Sequence, residues 1–192
     1  MRLADLLDDA QNAIRNVLEA REHEFTETEL DTIVHAAGTA AVKYADLSNT
    51  RTKDYVFDVD QMVATTGDTG VYLQYAHARV CSILRKATGR GAGSAQPVVD
   101  ATLPLHPAER ALALALDGFE ASLRDVADTL EPHRLCRYLY DLATTFTRFY
   151  EACPVTQAEG SVRRNRISLC ELTRRTLATG LGLLGIDAPE RI

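Results

Sequence analysis

Residues 71–80 carry two aromatic side chains and a cation at helical spacing. Tyr72, Tyr75 and Arg79 fall at i, i+3 and i+7, so they share one stripe of a helix, and Lys86 extends that stripe by two turns. Aromatic faces stack on unpaired bases, while arginine pairs with phosphate and stacks on base planes. The pattern therefore indicates a surface for a single-stranded RNA loop. The alternative is that both tyrosines cap the core of the helical bundle with their hydroxyls in water, and that the cations only add solubility.

A second basic group opens the last predicted helix. Arg163, Arg164 and Arg166 fall in its first turn, where cations oppose the dipole of the helix backbone. An external anion bound at this turn would offset that mild penalty. Tyr150 lies near the end of the preceding predicted helix, where we expect its ring to be partly exposed.

The net charge of −6, from 21 basic and 27 acidic residues, argues on its own against a polyanionic partner. The charge is unevenly distributed, however. Residues 70–91 carry four basic side chains and no acid, and residues 161–192 carry six basic and three acidic ones. Because partner choice follows the local field rather than the total, both blocks are candidate RNA-binding surfaces. An equally simple interpretation makes each block a solvated helix face.

Other kinds of chemistry find little support in the sequence. It contains no glycine-rich phosphate loop, no nucleophile elbow and no histidine or cysteine spacing typical of zinc. Its four cysteines are scattered, which suits reduced cytoplasmic thiols, and Cys153 is interpreted as a buried structural thiol. No apolar stretch approaches the roughly 18 residues of a membrane span. We therefore expect a cytoplasmic protein with no self-contained active site, no metal site and no membrane partner.

Helices position these residues, because almost every periodic segment repeats at 3.6 residues. Thr26 and Glu29 are spaced as a capping box, and Pro107 and Pro132 suit the first turn of a helix. The sequence predicts an all-α bundle of about six helices, with one short extended segment near residues 53–58. The predicted helices cover about residues 3–22, 26–46, 69–88, 107–130 with a bend near 118, 132–152 and 161–184. On the third of these helices, a separate apolar stripe is expected to face the core: Leu73, Ala76, Val80, Leu84 and Ala87.

Five blocks, in collinear order over essentially the whole chain, resemble the C-terminal region of arginyl-tRNA synthetase, a class I aminoacyl-tRNA synthetase. They are ADLSNTRTKDYVFDVDQM (45–62), YLQYAHARV (72–80), EPHRLCRYLYDLA (131–143), FYEACPV (149–155) and LLGIDAPERI (183–192). The resemblance implies two parts. Residues 1–66 would be the tail of the catalytic half with its connecting helices, and residues 67–192 the helical anticodon-binding domain of the class I synthetase type.

The resemblance also implies roles for single residues. Tyr72, Tyr75 and Arg79 match positions that shape and contact the anticodon loop, and Tyr150 matches an aromatic position near the anticodon bases. The family commonly ends in Pro-Glu-Arg-Met close to the same bases, whereas Ile192 keeps the apolar contact without the flexible thioether. No catalytic residue is predicted. The predicted tRNA-binding residues are Tyr72, Tyr75, Arg79, Lys86, Tyr150, Arg163, Arg166 and Ile192.

In that family, the His-Ile-Gly-His ATP motif and the nucleotide-binding sheet lie upstream of the region that this chain resembles. The resemblance therefore implies that the chain alone holds no cofactor, although ATP serves the full-length family, and that it is inactive without a catalytic half. The expected partner is the anticodon stem-loop of tRNA(Arg), in the service of arginyl-tRNA formation for protein synthesis, and DNA is not expected. The alternative is a truncated paralogue that binds another protein or pairs with a separate catalytic chain.

Overall fold

The computed structural model describes residues 2–20, 25–89 and 99–192. Over these ranges the chain forms eight helices and no strand, which confirms the predicted all-α class. None of the eight combines the length and the apolar character that a membrane crossing requires. The helices are α1 (Leu3–Glu19), α2 (Glu27–Leu47), α3 (Val59–Met62), α4 (Gly70–Thr88), α5 (Pro107–Asp117), α6 (Phe119–Thr129), α7 (Pro132–Ala152) and α8 (Gly160–Leu183).

One predicted helix is divided in the structure. The residues expected to form a single bent helix over 107–130 form α5 and α6, which meet at Gly118. The hydroxyl of Tyr138, on α7, donates to the carbonyl of Ala115 at 2.8 Å. The Tyr138 ring also stacks on Phe119, with 5.5 Å between the ring centroids. Contacts from α7 therefore stabilise the break, because they pair a carbonyl that the end of α5 leaves without a helical partner.

The segment 53–58, predicted to be extended, forms neither helix nor strand. It leads into α3, a single turn in which the carboxylate of Asp58 accepts a hydrogen bond from the Gln61 amide at 3.2 Å. A helix of four residues is too short to show a 3.6-residue period, so periodicity could not predict it. With α3 and the division at Gly118, the described residues hold eight helices rather than about six.

Caps that are visible in the sequence set several helix ends. The predicted capping box is confirmed: the Thr26 amide donates to the Glu29 carboxylate at 2.9 Å, and the Glu29 amide donates to the Thr26 hydroxyl at 3.4 Å. α4 begins after Thr69, whose hydroxyl accepts from the Tyr72 amide at 3.0 Å. It ends at Gly89, which adopts a φ of 65°. The predicted end of the first helix and most of the loop after α4 lie outside the described residues.

The helices pack around two adjoining cores. The larger core lies mainly between α4, α5, α7 and α8 and includes Leu139, Phe146 and Leu177. The smaller core joins α1 and α2 to the residues around α3, with Ile14 and Val34 among its buried side chains. Both α2 and α4 contribute to each core. Burial of this apolar surface is the main favourable term for folding, and it fixes α4 in the middle of the molecule.

α4 must therefore be apolar along one side and closely packed at its start. The predicted core stripe is confirmed, because each of its residues is buried: Leu73, Ala76, Val80, Leu84 and Ala87. At the start of α4, a Cβ on Gly70 would lie 2.5 Å from the carbonyl oxygen of Ala40 and 2.8 Å from the Cβ of Tyr44. Only glycine allows this approach to α2. The side of α4 that carries Tyr75 and Arg79 is left at the surface.

Candidate nucleic-acid interface

An open groove runs between α4 and the C-terminal tail, which we define as residues 185–192. The groove has a volume of about 310 Å³. It brings together three of the predicted RNA-binding residues, Tyr75, Arg79 and Ile192, although the last lies more than a hundred positions away along the chain. The residues that line it are Phe25, Tyr75, Ala78, Arg79, Ser82, Arg85, Glu190, Arg191 and Ile192.

Tyr75 presents the most accessible aromatic ring of the groove. The residue lies in the second turn of α4 and is 45% exposed. Ile192 lies beside it, and the two also line a smaller cavity against Ile14 and Val71 of the smaller core. Tyr75 thus lies between the groove and the smaller core, and part of its side chain is open to a ligand.

Arg79 and Tyr150 form a stacked pair at the edge of the groove. The guanidinium carbon of Arg79 lies 5.1 Å from the centroid of the Tyr150 ring, which is a cation–π distance. Tyr150 in turn stacks on Phe146 of the larger core at 6.3 Å, with 16° between the ring planes. None of the ion pairs within the described ranges includes Arg79. Its guanidinium is thus oriented by a ring, and no carboxylate of the described residues neutralises it.

Tyr72 shares the predicted stripe but lies differently from Tyr75. Its ring is half-buried, packs against the larger core and contacts the Tyr140 ring at 5.7 Å between centroids. Tyr72 does not line the groove. The interpretation of the tyrosines as caps on the core thus describes the packing of Tyr72, whereas the ring of Tyr75 is largely open. The predicted RNA contact of Tyr72 stays a prediction.

Lys86 is exposed in the last turn of α4, next to Arg85. Cations at this end of a helix interact favourably with the backbone dipole. Lys86 does not line the groove, so its predicted RNA contact also stays a prediction.

The arginines that open α8 have partners inside the protein. Arg163 donates to the carbonyl of Ala87 at the end of α4, at 2.8 Å. Arg166 pairs with the carboxylate of Glu109 at 2.7 Å and donates to the carbonyl of Pro154 at 2.9 Å. These contacts account for cations at a helix N-terminus without an external anion. Neither arginine lines the groove, and their predicted RNA contacts stay predictions.

Six of the nine residues that line the groove were not predicted from the sequence, among them Phe25, Arg85 and Arg191. The guanidinium carbon of Arg191 lies 5.2 Å from the centroid of the Phe25 ring, and Arg191 pairs with Glu29 at 3.8 Å. Arg85 donates to the carbonyl of Glu190 at 3.3 and 3.4 Å. Arg85 lies about 100° around α4 from the tyrosine stripe, so a search along that stripe misses it. Its place in the groove depends on the tail, which periodicity does not locate.

The cysteines offer no nucleophile. All four are free and buried. Burial raises the pKa of Cys136 and of Cys170 to about 12 and that of Cys81 to about 11, and it also raises the pKa of Cys153. A thiol with a raised pKa stays protonated near neutral pH and reacts poorly. The interpretation of Cys153 as a buried structural thiol is confirmed.

With the groove established, comparison with known proteins places the chain in a family. Residues 73–192 match the DALR anticodon binding domain, and residues 1–59 match the class I (R) tRNA synthetase catalytic domain. The chain belongs to the DALR anticodon-binding domain family. The groove lies between α4 and the tail, and both are within the matched range except for the first residues of α4. The predicted division after residue 66 falls between the two matched ranges and stays a prediction.

Arginine–tRNA ligases and arginyl-tRNA synthetases resemble this chain in sequence and in structure over its whole length. The arginine–tRNA ligase of Frankia casuarinae is 60% identical over 192 residues, and that of Streptomyces coelicolor is 48% identical over 193. The arginyl-tRNA synthetase of Thermus thermophilus has a TM-score of 0.90 at 34% identity, and that of Plasmodium falciparum a TM-score of 0.83 at 29% identity. Each covers all of this chain, which spans only 32–34% of their own lengths. The resemblance to arginyl-tRNA synthetase is confirmed, and the chain corresponds to its anticodon-binding region with part of the catalytic domain.

Proposed function

We propose that this chain binds the anticodon stem-loop of tRNA(Arg) and thereby serves the formation of arginyl-tRNA. The observation that carries the proposal is the Arg79–Tyr150 pair at a groove that also exposes Tyr75. An aromatic ring and a planar cation held side by side suit unpaired bases and the phosphates between them. This chemistry fits a loop whose bases are splayed out better than it fits a paired stem.

The groove supplies positive charge where the chain as a whole is acidic. Among the described residues, Arg79, Arg85 and Arg191 line it against the single acid Glu190, which pairs with Arg85 at 3.7 Å. We propose that these cations attract the loop phosphates and that displaced bases then stack on Tyr75. A further base would cover the face of the Arg79 guanidinium that does not contact Tyr150. Because the guanidinium is already oriented by that ring, little side-chain freedom is lost on binding.

In a larger ligase, we propose that binding here supports chemistry at a distant site. Binding energy from a remote part of a substrate can be used to position the reacting groups. The ATP and arginine sites would belong to the portion of the relatives that this chain does not span, so the chain alone should not form arginyl adenylate. An ATP–pyrophosphate exchange assay on the isolated chain tests this, and activity there would contradict it.

We also infer that this function operates in the cytoplasm. The four free, buried thiols fit a compartment in which cysteines remain reduced. Fractionation of cells that express the tagged chain would test this, and its accumulation in an oxidising compartment would contradict it.

A fluorescence anisotropy titration of a labelled tRNA(Arg) anticodon stem-loop tests the main proposal. For about three phosphate contacts, the affinity should fall roughly tenfold between 50 and 150 mM salt. Binding releases counterions from the RNA, and this release becomes less favourable as the salt concentration rises. Arg79→Gln should weaken binding and lower that salt dependence. Arg110→Met, which removes an exposed cation on α5, is the matched control and should leave both unchanged.

Two results would contradict the proposal. One is a failure to bind the stem-loop at low salt. The other is equal affinity for a stem-loop of unrelated anticodon, because the groove would then attract phosphate without reading bases. If the chain bound a protein partner and did not bind RNA, the result would instead support the alternative function of a truncated paralogue.

A further inference from the structure

We infer that Gln74 and His77 are positioning residues: they hold the C-terminal tail against α4, and thereby place Arg191 and Ile192 in the groove. The inference rests on the proposed function for its final step, the effect on RNA binding. Its first step, the attachment of the tail, concerns the free protein alone.

Side chains of α4 hold the tail by its backbone. The Gln74 Nε2 group donates to the carbonyl of Asp187 at 2.9 Å, and to that of Ala36 on α2 at 3.3 Å. The His77 Nδ1 atom lies 2.9 Å from the carbonyl of Pro189. A carbonyl oxygen only accepts, so His77 carries its proton on Nδ1. Because both contacts are to carbonyls, they fix the path of the tail whatever side chains it carries.

Both positioning residues are too buried to touch RNA. Gln74 is 0% exposed and His77 is 2% exposed, and neither lines the groove. Polar side chains are costly to bury unless they are hydrogen-bonded. Each carries a bond to the tail, which offsets part of that cost. A change at either residue can therefore reach an RNA ligand only through the tail or through the packing of α4.

The tail is also held at both of its ends. Where it leaves α8, Gly185 has a φ of 68°, and Lys43 of α2 donates to its carbonyl. Near its far end, Arg85 donates to the carbonyl of Glu190. Arg85 itself lines the groove, so its own contacts with RNA could not be separated from its hold on the tail. Gln74 and His77 are free of that ambiguity.

Ordering the tail before binding has a direct energetic consequence. Ile192 lies beside Tyr75 in the groove, and Arg191 lies over the Phe25 ring. If the tail were loose, RNA binding would have to order it, and the conformational entropy lost by the tail would lower the affinity for RNA. The Gln74 and His77 bonds make the tail rigid in advance, so the groove is complete in the free protein.

The first measurement uses the full chain without RNA. Backbone amide order parameters of the tail should be near 0.85 in the unsubstituted protein and should fall below about 0.6 in Gln74→Met and His77→Leu. His77→Asn should retain rigidity, since its amide nitrogen takes the place of Nδ1. Gln74→Met preserves the length of the side chain, and the Gln74 Oε1 atom that it removes has no hydrogen-bond partner in the structure described. A tail that stays rigid in both Gln74→Met and His77→Leu would overturn the inference.

The second measurement is the affinity of the same variants for the tRNA(Arg) stem-loop. Gln74→Met and His77→Leu should each weaken binding about 2- to 12-fold, the range for the one hydrogen bond to the tail that each variant removes. His77→Asn and the control Arg110→Met should stay near the affinity of the unsubstituted chain. In an Ile192→Ala background the losses of affinity should be smaller, because the tail then lacks the Ile192 side chain that would contact the RNA. A loosened tail with unchanged affinity would overturn the positioning role. A failure of the unsubstituted chain to bind would overturn the proposed function and leave the first measurement valid.

Discussion

The arginines of this chain differ in what their guanidinium groups contact. Arg166 is 17% exposed at its side chain and pairs with Glu109, whose side chain is 7% exposed. Arg79 lies over an aromatic ring and pairs with none of the carboxylates in the described ranges. Arg79 was predicted to contact RNA from its place on the tyrosine stripe and from the family resemblance, and Arg166 from its place in a basic first turn. Sequence spacing could place them on helices, but it could not show which one has an internal partner.

At the residue scale, Tyr75→Ala should weaken stem-loop binding by about 1–3 kcal/mol, the usual loss when one base no longer stacks on a ring. Tyr75→Phe keeps the ring and should retain most of the affinity. The measurement is an anisotropy titration of the tRNA(Arg) stem-loop with each variant. An unchanged affinity for Tyr75→Ala would show that the exposed ring does not take part in binding.

Arg166→Met should destabilise the fold by about 3–5 kcal/mol, because it leaves the Glu109 carboxylate buried without its cation. The matched control is Arg124→Met. It breaks the Arg124–Glu120 pair, whose side chains are 75% and 76% exposed, and should change stability by less than about 1 kcal/mol. Urea unfolding measures both. If Arg166→Met left the stability unchanged but impaired RNA binding, Arg166 would contact RNA and would not stabilise the fold through Glu109.

At the scale of the elements, α4 carries three functions on three sides. One side faces the core, one holds the tail through Gln74 and His77, and one lines the groove with Tyr75 and Arg79. The first is an unbroken apolar stripe, which is why periodicity predicted it. The second depends on where residues 187–190 run, and a period of 3.6 carries no information about that path.

Because α4 approaches α2 closely at Gly70, the fold should not tolerate a larger side chain there. Gly70→Ala should destabilise the fold by about 1–3 kcal/mol, since its Cβ would overlap the Ala40 carbonyl and force the helices apart. Gly182→Ala on α8 is the control, because its Cβ meets no atom within 4 Å. That change should instead stabilise the fold by about 0.5–1 kcal/mol. Thermal unfolding measures the stability change in both variants. Equal changes in the two would contradict the close packing of α4 against α2.

The helix boundaries show which local features are readable from sequence. The capping box at Thr26 and the prolines at the starts of α5 and α7 predicted helix starts that the structure confirms. The division at Gly118 was expected only as a bend, since it depends on Tyr138 reaching across from α7. Local caps are thus predictable, whereas breaks stabilised by another helix are not.

At the scale of the whole molecule, the acidic chain with a cationic groove illustrates that net charge and binding charge are separate properties. The net charge is −6, yet in the part of the chain that the structure describes three arginines and one acid line the groove. The sequence located the first basic block correctly on α4. The joining of that block to the C-terminus is a tertiary feature, and only the resemblance to a known family indicated it beforehand.

Acid should destabilise the fold through His77. Burial lowers the pKa of His77 in the folded chain, a bond to the Pro189 carbonyl and the charge of Glu190 raise it, and the charge of Arg174 lowers it. Its net folded pKa lies below the ordinary value of about 6.5. Once the pH falls below about 6.5, the unfolded chain binds a proton that the folded chain excludes, so the free energy of unfolding decreases.

Urea unfolding at pH 7.5 and at pH 5.5 measures this effect. His77→Asn, which keeps the donor and cannot titrate, should lose less stability over the same range. Equal losses in the two chains would assign the acid sensitivity to other groups.

The central claim, that RNA lies in the groove between α4 and the tail, is tested most directly by chemical-shift mapping. The full chain labelled with ¹⁵N is titrated with the tRNA(Arg) anticodon stem-loop at low salt. The largest shifts should cluster at Tyr75, Arg79, Tyr150 and residues 190–192, with those of α5 and α6 nearly unchanged. Shifts concentrated on α5 and α6, or none in the groove at saturation, would contradict it.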